Sequence, residues 1–109
     1  MGTPAIKALT GTHAQLGQLY PHLSQRKLWA PEGLTILPGI DDYGKGVVTH
    51  LKDARTVASF ARAHGLPEIS IWAIQRDNGG CPGAIDSNSC SGIQQSTCAF
   101  SHIFDSYTR

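Results

Sequence analysis

Adjacent charged side chains occur at two places in the chain where a short apolar run ends. Asp41 and Asp42 follow the first run, and Arg76 and Asp77 follow the second. Carboxylates that lie close together raise one another's pKa and favour the binding of a divalent cation. An Arg can hold an anionic substrate through two hydrogen bonds. The structural alternative is that the Asp pair forms a turn and the Arg-Asp pair fixes a loop. We favour the structural roles and keep all four residues as catalytic candidates.

The three cysteines lack the spacing of a metal site. Cys81 and Cys90 bracket a loop rich in Gly, Pro and Ser, CPGAIDSNSC, and this pattern favours a disulfide over free thiols. No CxxC pair or nearby His pair is present, which argues against zinc. Cys98 is left over, and three roles stay open for it: an inert buried thiol, a partner in an intermolecular disulfide, or a nucleophile activated near a helix start. We predict no cofactor, with a divalent metal at Asp41 and Asp42 as the alternative.

The remaining reactive residues show no catalytic spacing. The five histidines form no HxxxH or HxH pair, and His13 and His102 fall on apolar helix faces, where we expect them to be packed or interfacial. No GxSxG motif is present. The GKG segment at 44–46 lacks the spacing of a phosphate-binding loop.

Three helices and two strands are predicted to position these residues in a single domain. Apolar side chains recur at helical spacing at about 4–20, 50–64 and 97–107, and short apolar runs predict strands at about 34–40 and 68–74. The order α-β-α-β-α is typical of an α/β protein, whose parallel strands are joined by right-handed crossovers.

Two parallel strands leave a stability problem. Parallel sheets occur almost only with both faces covered, and an unpaired strand edge invites pairing with another chain. We do not expect three helices to cover all the apolar surface of this pair. The chain is therefore predicted to need a partner, either a copy of itself in a homodimer or homotetramer, or a different chain; four copies would supply the eight strands of a closed barrel.

Several segments resemble the C-terminal end of bacterial family 18 chitinases of the chitinase D type. ISIWAIQRDNGGCPG and CSGIQQSTCAFSHIF are similar to the last strand, loop and helix, GTHAQLGQLYPHLSQRKLWAPEGLTILPGIDD to the preceding helix and seventh strand, and DARTVASFARAHGL to the helix between them. The resemblance spans nearly the whole chain. It implies part of a (βα)8 barrel, comprising its last two strands and three helices, with sites at the C-terminal strand ends and with completion by homo-oligomerisation.

The DxxDxDxE motif of that family is absent from this sequence. In the family its Glu protonates the leaving oxygen, and the acetamido group of the substrate acts as the nucleophile. The two glutamates here are Glu32 and Glu68, and neither has an Asp two residues before it. The resemblance therefore implies a truncated, chitinase-derived chain that does not hydrolyse chitin by the family mechanism.

The resemblance also assigns a role to Trp72, which matches the tryptophan under the sugar at the family's cleavage subsite. An aromatic face packs against a pyranose ring, and the indole N–H donates a hydrogen bond. The alternative is a core Trp that fills volume, and for a chain with two strands we favour that packing role. The family commonly has Asn-Asp at the mouth of the seventh strand, so Asp41 departs from its pattern, whereas Arg76 and Asp77 match its Arg-Asp pair.

Composition excludes other classes of function. A net charge of +1 is far from that of a nucleic-acid binder, and no apolar run approaches the roughly 18 residues of a membrane span. The N-terminus has no signal-peptide pattern, which predicts a cytoplasmic product, although the resembled family is typically secreted.

Three hypotheses about function remain. The first is a self-assembling chain without efficient activity. The second is an oligomeric hydrolase of activated esters or phosphoesters, with a new site built from the residues Asp41, Asp42, Trp72, Arg76 and Asp77. The third is a weak chito-oligosaccharide binder that uses Trp72.

Overall fold

The chain folds into both helices and strands, with a helix between the two strands of a parallel pair, as in α/β proteins. The structure, a computed structural model, describes residues 1–107. In order, it contains helix α1 (Gly2–Leu19), helix α2 (Gln25–Trp29), strands β1 (Gly33–Ile36), β2 (Gly39–Asp41) and β3 (Gly44–Thr49), helix α3 (Leu51–His64), strand β4 (Glu68–Ile71), a 3-10 turn (Ile74–Arg76) and helix α4 (Ala99–Asp105). The chain is therefore a mixed α/β domain.

Strands β1 and β4 form a parallel pair. Gly33 lies opposite Glu68, and the register runs to Ile36 opposite Ile71. One further hydrogen bond extends the ladder, because the N–H of Trp72 donates to the carbonyl of Ile36 over 2.8 Å. Helix α3 lies in the connection between the two strands, so their carboxyl ends meet at one edge of the molecule.

Helix α3 carries the apolar stripe that covers this strand pair. The carboxylate of Asp53 accepts a hydrogen bond from the N–H of His50 at 2.8 Å, which satisfies a free donor where the helix begins. The helix ends at Gly65, which adopts the left-handed conformation with φ of 64°. Its buried residues recur at helical spacing: Ala54, Val57, Ala58 and Ala61.

Two apolar clusters hold the helices on the sheet. The first cluster lies between β1, α3 and α4 and contains Ile36, Ala54, Val57, Ala58, Phe100 and Phe104. The second lies between α1, α2 and α3 and contains Leu9, Trp29, Ala61 and Leu66. Alternate residues of the strands, among them Leu34, Ile69 and Ile71, pack against the first cluster.

The opposite face of the strand pair is polar along the strands. Thr35 and Ser70 lie opposite each other, and their hydroxyl oxygens are 2.6 Å apart. Several apolar residues on the covered face are only partly buried, in keeping with the expectation that the helices do not cover this face fully: Leu34, Ile69 and Ile71. Beyond β4, Trp72 and Ile74 are exposed.

Both strands end earlier than predicted. Strand β1 ends at Ile36 instead of residue 40, because Pro38 has no N–H to continue a ladder. Strand β4 ends at Ile71 instead of residue 74, where the chain turns into the 3-10 turn. The bounds of two helices also differ from the prediction: α1 begins at Gly2, and α4 covers only Ala99–Asp105.

The hairpin of β2 and β3 was not predicted. It is antiparallel, with Gly39 opposite Thr49 and Ile40 opposite Val48. Strand β2 ends at Asp41, and the turn contains Asp42. Within residues 1–107, none of the helices combines the length and the hydrophobicity that crossing a membrane requires.

Candidate functional site

The carboxyl end of the parallel pair presents an exposed aromatic ring. The side chain of Trp72 is 69% exposed, although its backbone is fixed by the hydrogen bond to Ile36. Ile74, two residues further along, is 64% exposed. The prediction that Trp72 fills core volume is therefore wrong for this chain, and its ring is accessible to a ligand.

Arg76 is buried beside this edge and is 3% exposed. Its Nη2 donates to the carbonyl of Pro38 at 3.1 Å and to that of Ile40 at 2.7 Å, and its Nη1 donates to the carbonyl of Ser87. No ion pair to a carboxylate forms within the described range of the chain. The guanidinium therefore connects its own segment to residues 38–40 and to the loop at Ser87. It is not free to hold an anionic substrate.

Asp77 is also buried, at 2% exposure, and it organises the start of α4. Its carboxylate accepts hydrogen bonds from the N–H of Phe100 at 3.0 Å, the N–H of Ser101 at 2.8 Å, the hydroxyl of Ser101 at 2.7 Å and the side-chain amide of Gln95 at 2.7 Å. The helix has no side-chain cap of its own, since Cys98 holds the cap position. Asp77 supplies these acceptors from a distant part of the chain.

These contacts also set the pKa of Asp77. Burial raises the pKa of this carboxyl group, but the hydrogen bonds from Ser101, Phe100 and Gln95 outweigh burial and hold the pKa below its usual range. The group is therefore an anion fixed by four donors. Such a carboxylate is not placed to act as a base toward a substrate.

Of the first pair of aspartates, Asp41 ends strand β2 and Asp42 lies in the turn of the β2–β3 hairpin. Asp41 is half-buried, and its Oδ1 accepts the N–H of Tyr43 at 3.1 Å, a contact that forms the turn. Asp42 is exposed. Across residues 1–107, no group of three or more His, Cys, Asp or Glu side chains is arranged to hold a metal ion. The divalent metal at Asp41 and Asp42 therefore stays a prediction from the sequence.

Neither glutamate lies near the exposed ring. Glu68 is the first residue of β4 and pairs with Gly33, the first residue of β1. Glu32 immediately precedes β1, is 5% exposed and bonds to Nδ1 of His13 at 2.7 Å. Both carboxylates therefore lie at the amino ends of the strands, opposite the edge that carries Trp72.

The loop between the 3-10 turn and α4 is closed by a disulfide. The structure bonds Cys81 to Cys90, whose Cα atoms are 5.9 Å apart, a usual separation for a disulfide. The loop contacts strand β2 as well, because the N–H of Ile40 donates to the carbonyl of Ser91 at 2.8 Å. A side chain at Gly39, which has a φ of +79°, would overlap Ser91. The loop and the hairpin are therefore packed together.

Cys98 and His102 lie beside a groove of about 630 Å³ between β4 and α4, which Ile74 also lines. Cys98 is a half-buried free thiol with a φ of 63°, and His102 is exposed. His13 is buried, as expected from its position on an apolar helix face, and it stacks on Trp29 with ring centroids 3.6 Å apart.

Sequence reasoning missed one exposed aromatic residue near the pair of aspartates. Tyr43 is 92% exposed at the hairpin turn. The signal that could have found it is the segment Asp-Asp-Tyr-Gly, a turn pattern that presents its third residue at a loop tip.

Two curated proteins are similar to this chain in sequence. The "Probable bifunctional chitinase/lysozyme" of Escherichia coli (strain K12) is 34% identical over 109 residues, which cover 99% of this chain and 12% of that protein. "Endochitinase 11" of Metarhizium anisopliae is 37% identical over 76 residues, covering 70% of this chain and 14% of that protein. The chain thus spans a small part of each relative. No protein-family model matches it.

Solved structures of chitinase catalytic domains superpose on this chain. The catalytic domain of a hyperthermophilic chitinase from Pyrococcus furiosus superposes with a TM-score of 0.91 at 31% identity, over 98% of this chain and 35% of that chain. Catalytic-site mutants of active domain 2 of a thermostable chitinase from Pyrococcus furiosus, complexed with chito-oligosaccharides, superpose with a TM-score of 0.90. These similarities confirm the resemblance drawn from the sequence: the chain is chitinase-like and corresponds to about one third of a chitinase catalytic domain.

Proposed function

We propose that this chain forms one wall of a chito-oligosaccharide-binding cleft, with Trp72 as the platform under a sugar ring. The observation that carries the proposal is the 69% exposure of Trp72 at the carboxyl end of the parallel strands. That edge is where (βα)8 barrels place their ligands. A similar fold from Pyrococcus furiosus is known in complex with chito-oligosaccharides, which supports the choice of ligand.

The proposed contact uses both parts of the indole. Its face covers the apolar C–H surface of a pyranose ring, and its N–H remains free to donate to a sugar oxygen. The backbone bond from Trp72 to Ile36 fixes the base of the side chain, so little backbone order has to be gained on binding. The ring is therefore partly preorganised for a sugar.

We further propose that a catalytic carboxylic acid has to come from outside these residues. Glu32 and Glu68 lie at the amino ends of the strands, and Asp77 is saturated by hydrogen bonds. The hydrolase hypothesis is less well supported, because Arg76 and Asp77 were two of its five residues. Asp41 and Asp42 from neighbouring copies could still meet around a divalent metal, which stays a prediction of the sequence.

Calorimetric titration with chitotriose tests the sugar platform. Replacing Trp72→Ala should weaken binding at least roughly tenfold, since an aromatic contact contributes about 0.5–1.5 kcal/mol beyond its buried area. Trp72→Phe keeps an aromatic face and should retain most of the affinity. Tyr20→Ala is the matched control, because Tyr20 is an exposed aromatic residue at the end of α1.

Tryptophan fluorescence gives an independent signal in the same titration. Trp29 is 7% exposed and Trp72 is 69% exposed, so a sugar should change the emission of Trp72 alone. Equal affinity in the wild type and in Trp72→Ala would refute the proposal, and so would the absence of any binding at millimolar sugar.

A second proposal concerns assembly and is supported by the strand edges. β1 and β4 pair with each other, and within residues 1–107 neither pairs with any further strand. The outer side of β4 borders the groove beside α4, which is lined in part by Ile69, Ile74 and Phe104. We propose that the chain is part of a (βα)8 barrel that further strands complete. In a homotetramer the further strands would come from three other copies of the chain, and a homodimer is the alternative. The mass of the particle in solution distinguishes a tetramer, a dimer and a monomer.

A further inference from the structure

Arg76 occupies an unusual environment for a cation. Its guanidinium is 3% exposed, and its described partners are the backbone carbonyls of Pro38, Ile40 and Ser87. Burying a charge without an opposite charge is costly unless oriented dipoles replace water. The positions of these three carbonyls therefore decide whether Arg76 remains in place.

The three carbonyls come from segments that share no sheet with each other. Pro38 and Ile40 belong to the link between β1 and β2 and to β2 itself, whereas Ser87 lies in the loop that the disulfide closes. Arg76 follows Trp72 by four residues and ends the 3-10 turn, in which its N–H donates to the carbonyl of Ala73 at 2.9 Å. One side chain thus joins the hairpin, the loop and the segment that carries the exposed ring.

The disulfide fixes the part of the loop on which Arg76 depends. Ser87 lies inside the ring that Cys81 and Cys90 close, and its Oγ is 3.2 Å from the sulfur of Cys90. Ser91, the neighbour of Cys90, accepts the N–H of Ile40. Opening the disulfide would release the ring that contains Ser87, and with it one attachment of Arg76, whereas Ser91 keeps its two hydrogen bonds to Asn78.

We propose that Arg76 is a positioning residue that couples the Cys81–Cys90 disulfide to the order of the β2–β3 hairpin and, through the 3-10 turn that Arg76 ends, to the sugar site at Trp72. The last part rests on the function proposed above. In the reduced state a dithiol reductant transfers two electrons and two protons to the disulfide, giving two cysteine thiols and the oxidised reductant. The loop then loses its closure, Arg76 loses the carbonyl of Ser87, and the hairpin becomes more mobile.

Hydrogen–deuterium exchange of the folded chain, with and without a dithiol reductant, tests the coupling. We expect reduction to increase exchange in peptides covering residues 39–49, while peptides of α1 keep their protection. Affinity for chitotriose should fall by on the order of tenfold, a usual size for coupling between two sites. Cys81→Ser combined with Cys90→Ser should behave like the reduced protein and should not respond to the reductant.

Two further variants separate positioning from general stability. Arg76→Gln should raise hairpin exchange in the oxidised protein, and the reductant should then add little, because both changes break the same connection. Arg76→Lys, which keeps the charge, should restore part of the protection. Cys98→Ser, which removes the free thiol, should leave the full response to reductant.

The outcomes distinguish this inference from the proposed function. Unchanged hairpin exchange on reduction, or a full response to reductant in Arg76→Gln, would overturn the coupling. Increased hairpin exchange in a chain that binds no sugar would support the coupling and remove the sugar site. If reduction increases hairpin exchange but leaves the affinity for sugar unchanged, the coupling does not extend to Trp72.

Discussion

Trp72 and Arg76 are separated by four residues and lie in opposite environments. The aromatic ring is 69% exposed and the guanidinium is 3% exposed. The cause is the local backbone, because β4 ends at Ile71 and a 3-10 turn redirects the chain before Arg76. The apolar side chain therefore lies outside and the charged one inside, which is the reverse of the usual preference. Such a reversal needs a reason for each residue: carbonyl partners for the Arg, and a ligand or a neighbouring chain for the Trp.

Asp77 stabilises the start of α4 through its hydrogen bonds to Gln95, Phe100 and Ser101. In Asp77→Asn the carboxamide would point its N–H₂ group at donors that now meet a carboxylate oxygen, so we expect the free energy of unfolding to fall by roughly 2–3 kcal/mol. Urea unfolding at pH 7 measures this loss. Asp42→Asn removes an exposed carboxylate of the same size and should change stability by less than about 0.5 kcal/mol.

The contribution of Asp77 to the free energy of unfolding should depend on pH in one direction. The pKa of Asp77 in the folded chain is lowered from 3.8, by hydrogen bonds that outweigh burial. Its contribution is therefore present above pH 3.8 and is lost as the pH falls through the lower, folded-state pKa. The stability difference between wild type and Asp77→Asn should shrink only in that acidic range. A difference that already shrinks between pH 7 and pH 5 would contradict this assignment.

At the scale of elements, a buried polar group joins α1 to the start of β1. His13 of α1 bonds through Nδ1 to Glu32 and through Nε2 to Gln25, at 2.7 Å in each case. Burial lowers the pKa of His13, but the hydrogen bonds to Gln25 and Glu32, together with the charge of Glu32, outweigh burial and raise the pKa above 6.5. The ring also stacks on Trp29. This ion pair fixes α1 against α2 and the chain that enters β1.

Stability should therefore decline when His13 loses its proton. A raised folded-state pKa gives a contribution that is complete below pH 6.5 and is lost as the pH rises through the folded-state pKa. NMR titration of the imidazole C–H signals should give His13 a midpoint above 6.5. The exposed His102 provides a second signal in the same spectrum. A midpoint for His13 below 6.5 would show that burial, and not the Glu32 carboxylate, controls the group.

The elements differ in how far the sequence predicts them. The stripe of α3 follows from periodicity, because the helix buries one side of itself. In β4 the alternate residues Ile69 and Ile71 pack against the first cluster, although neither is fully buried. The β2–β3 hairpin has no such signal, since Gly44, Lys45 and Gly46 give one of its strands no apolar face. The structural role of Arg76 was predicted from the sequence, but its acceptors could not be. Its acceptors are carbonyls of segments up to 38 residues away, and a backbone carbonyl carries no sequence signature.

At the scale of the whole molecule, the proposed tetramer would use the strand pair as its repeating unit. β1 and β4 are parallel and in register over four residues, so the outer edge of β4 in one copy would pair with the outer edge of β1 in another. A head-to-tail contact of this kind closes into a ring when its rotation permits. Four copies then supply eight strands, a number that a closed barrel accommodates. The face carrying Thr35 and Ser70 would become the interior of that barrel.

That interior face allows a test that leaves the single chain intact. Thr35 is exposed in the chain, so Thr35→Lys should fold normally, yet a lysine inside a packed barrel would be a buried charge. Native mass spectrometry should therefore find wild-type oligomers and a Thr35→Lys monomer. Ser59→Lys, at an exposed position of α3, should keep the wild-type mass. A compact wild-type monomer at high dilution would contradict self-assembly, and oligomers that persist in Thr35→Lys would exclude a closed barrel.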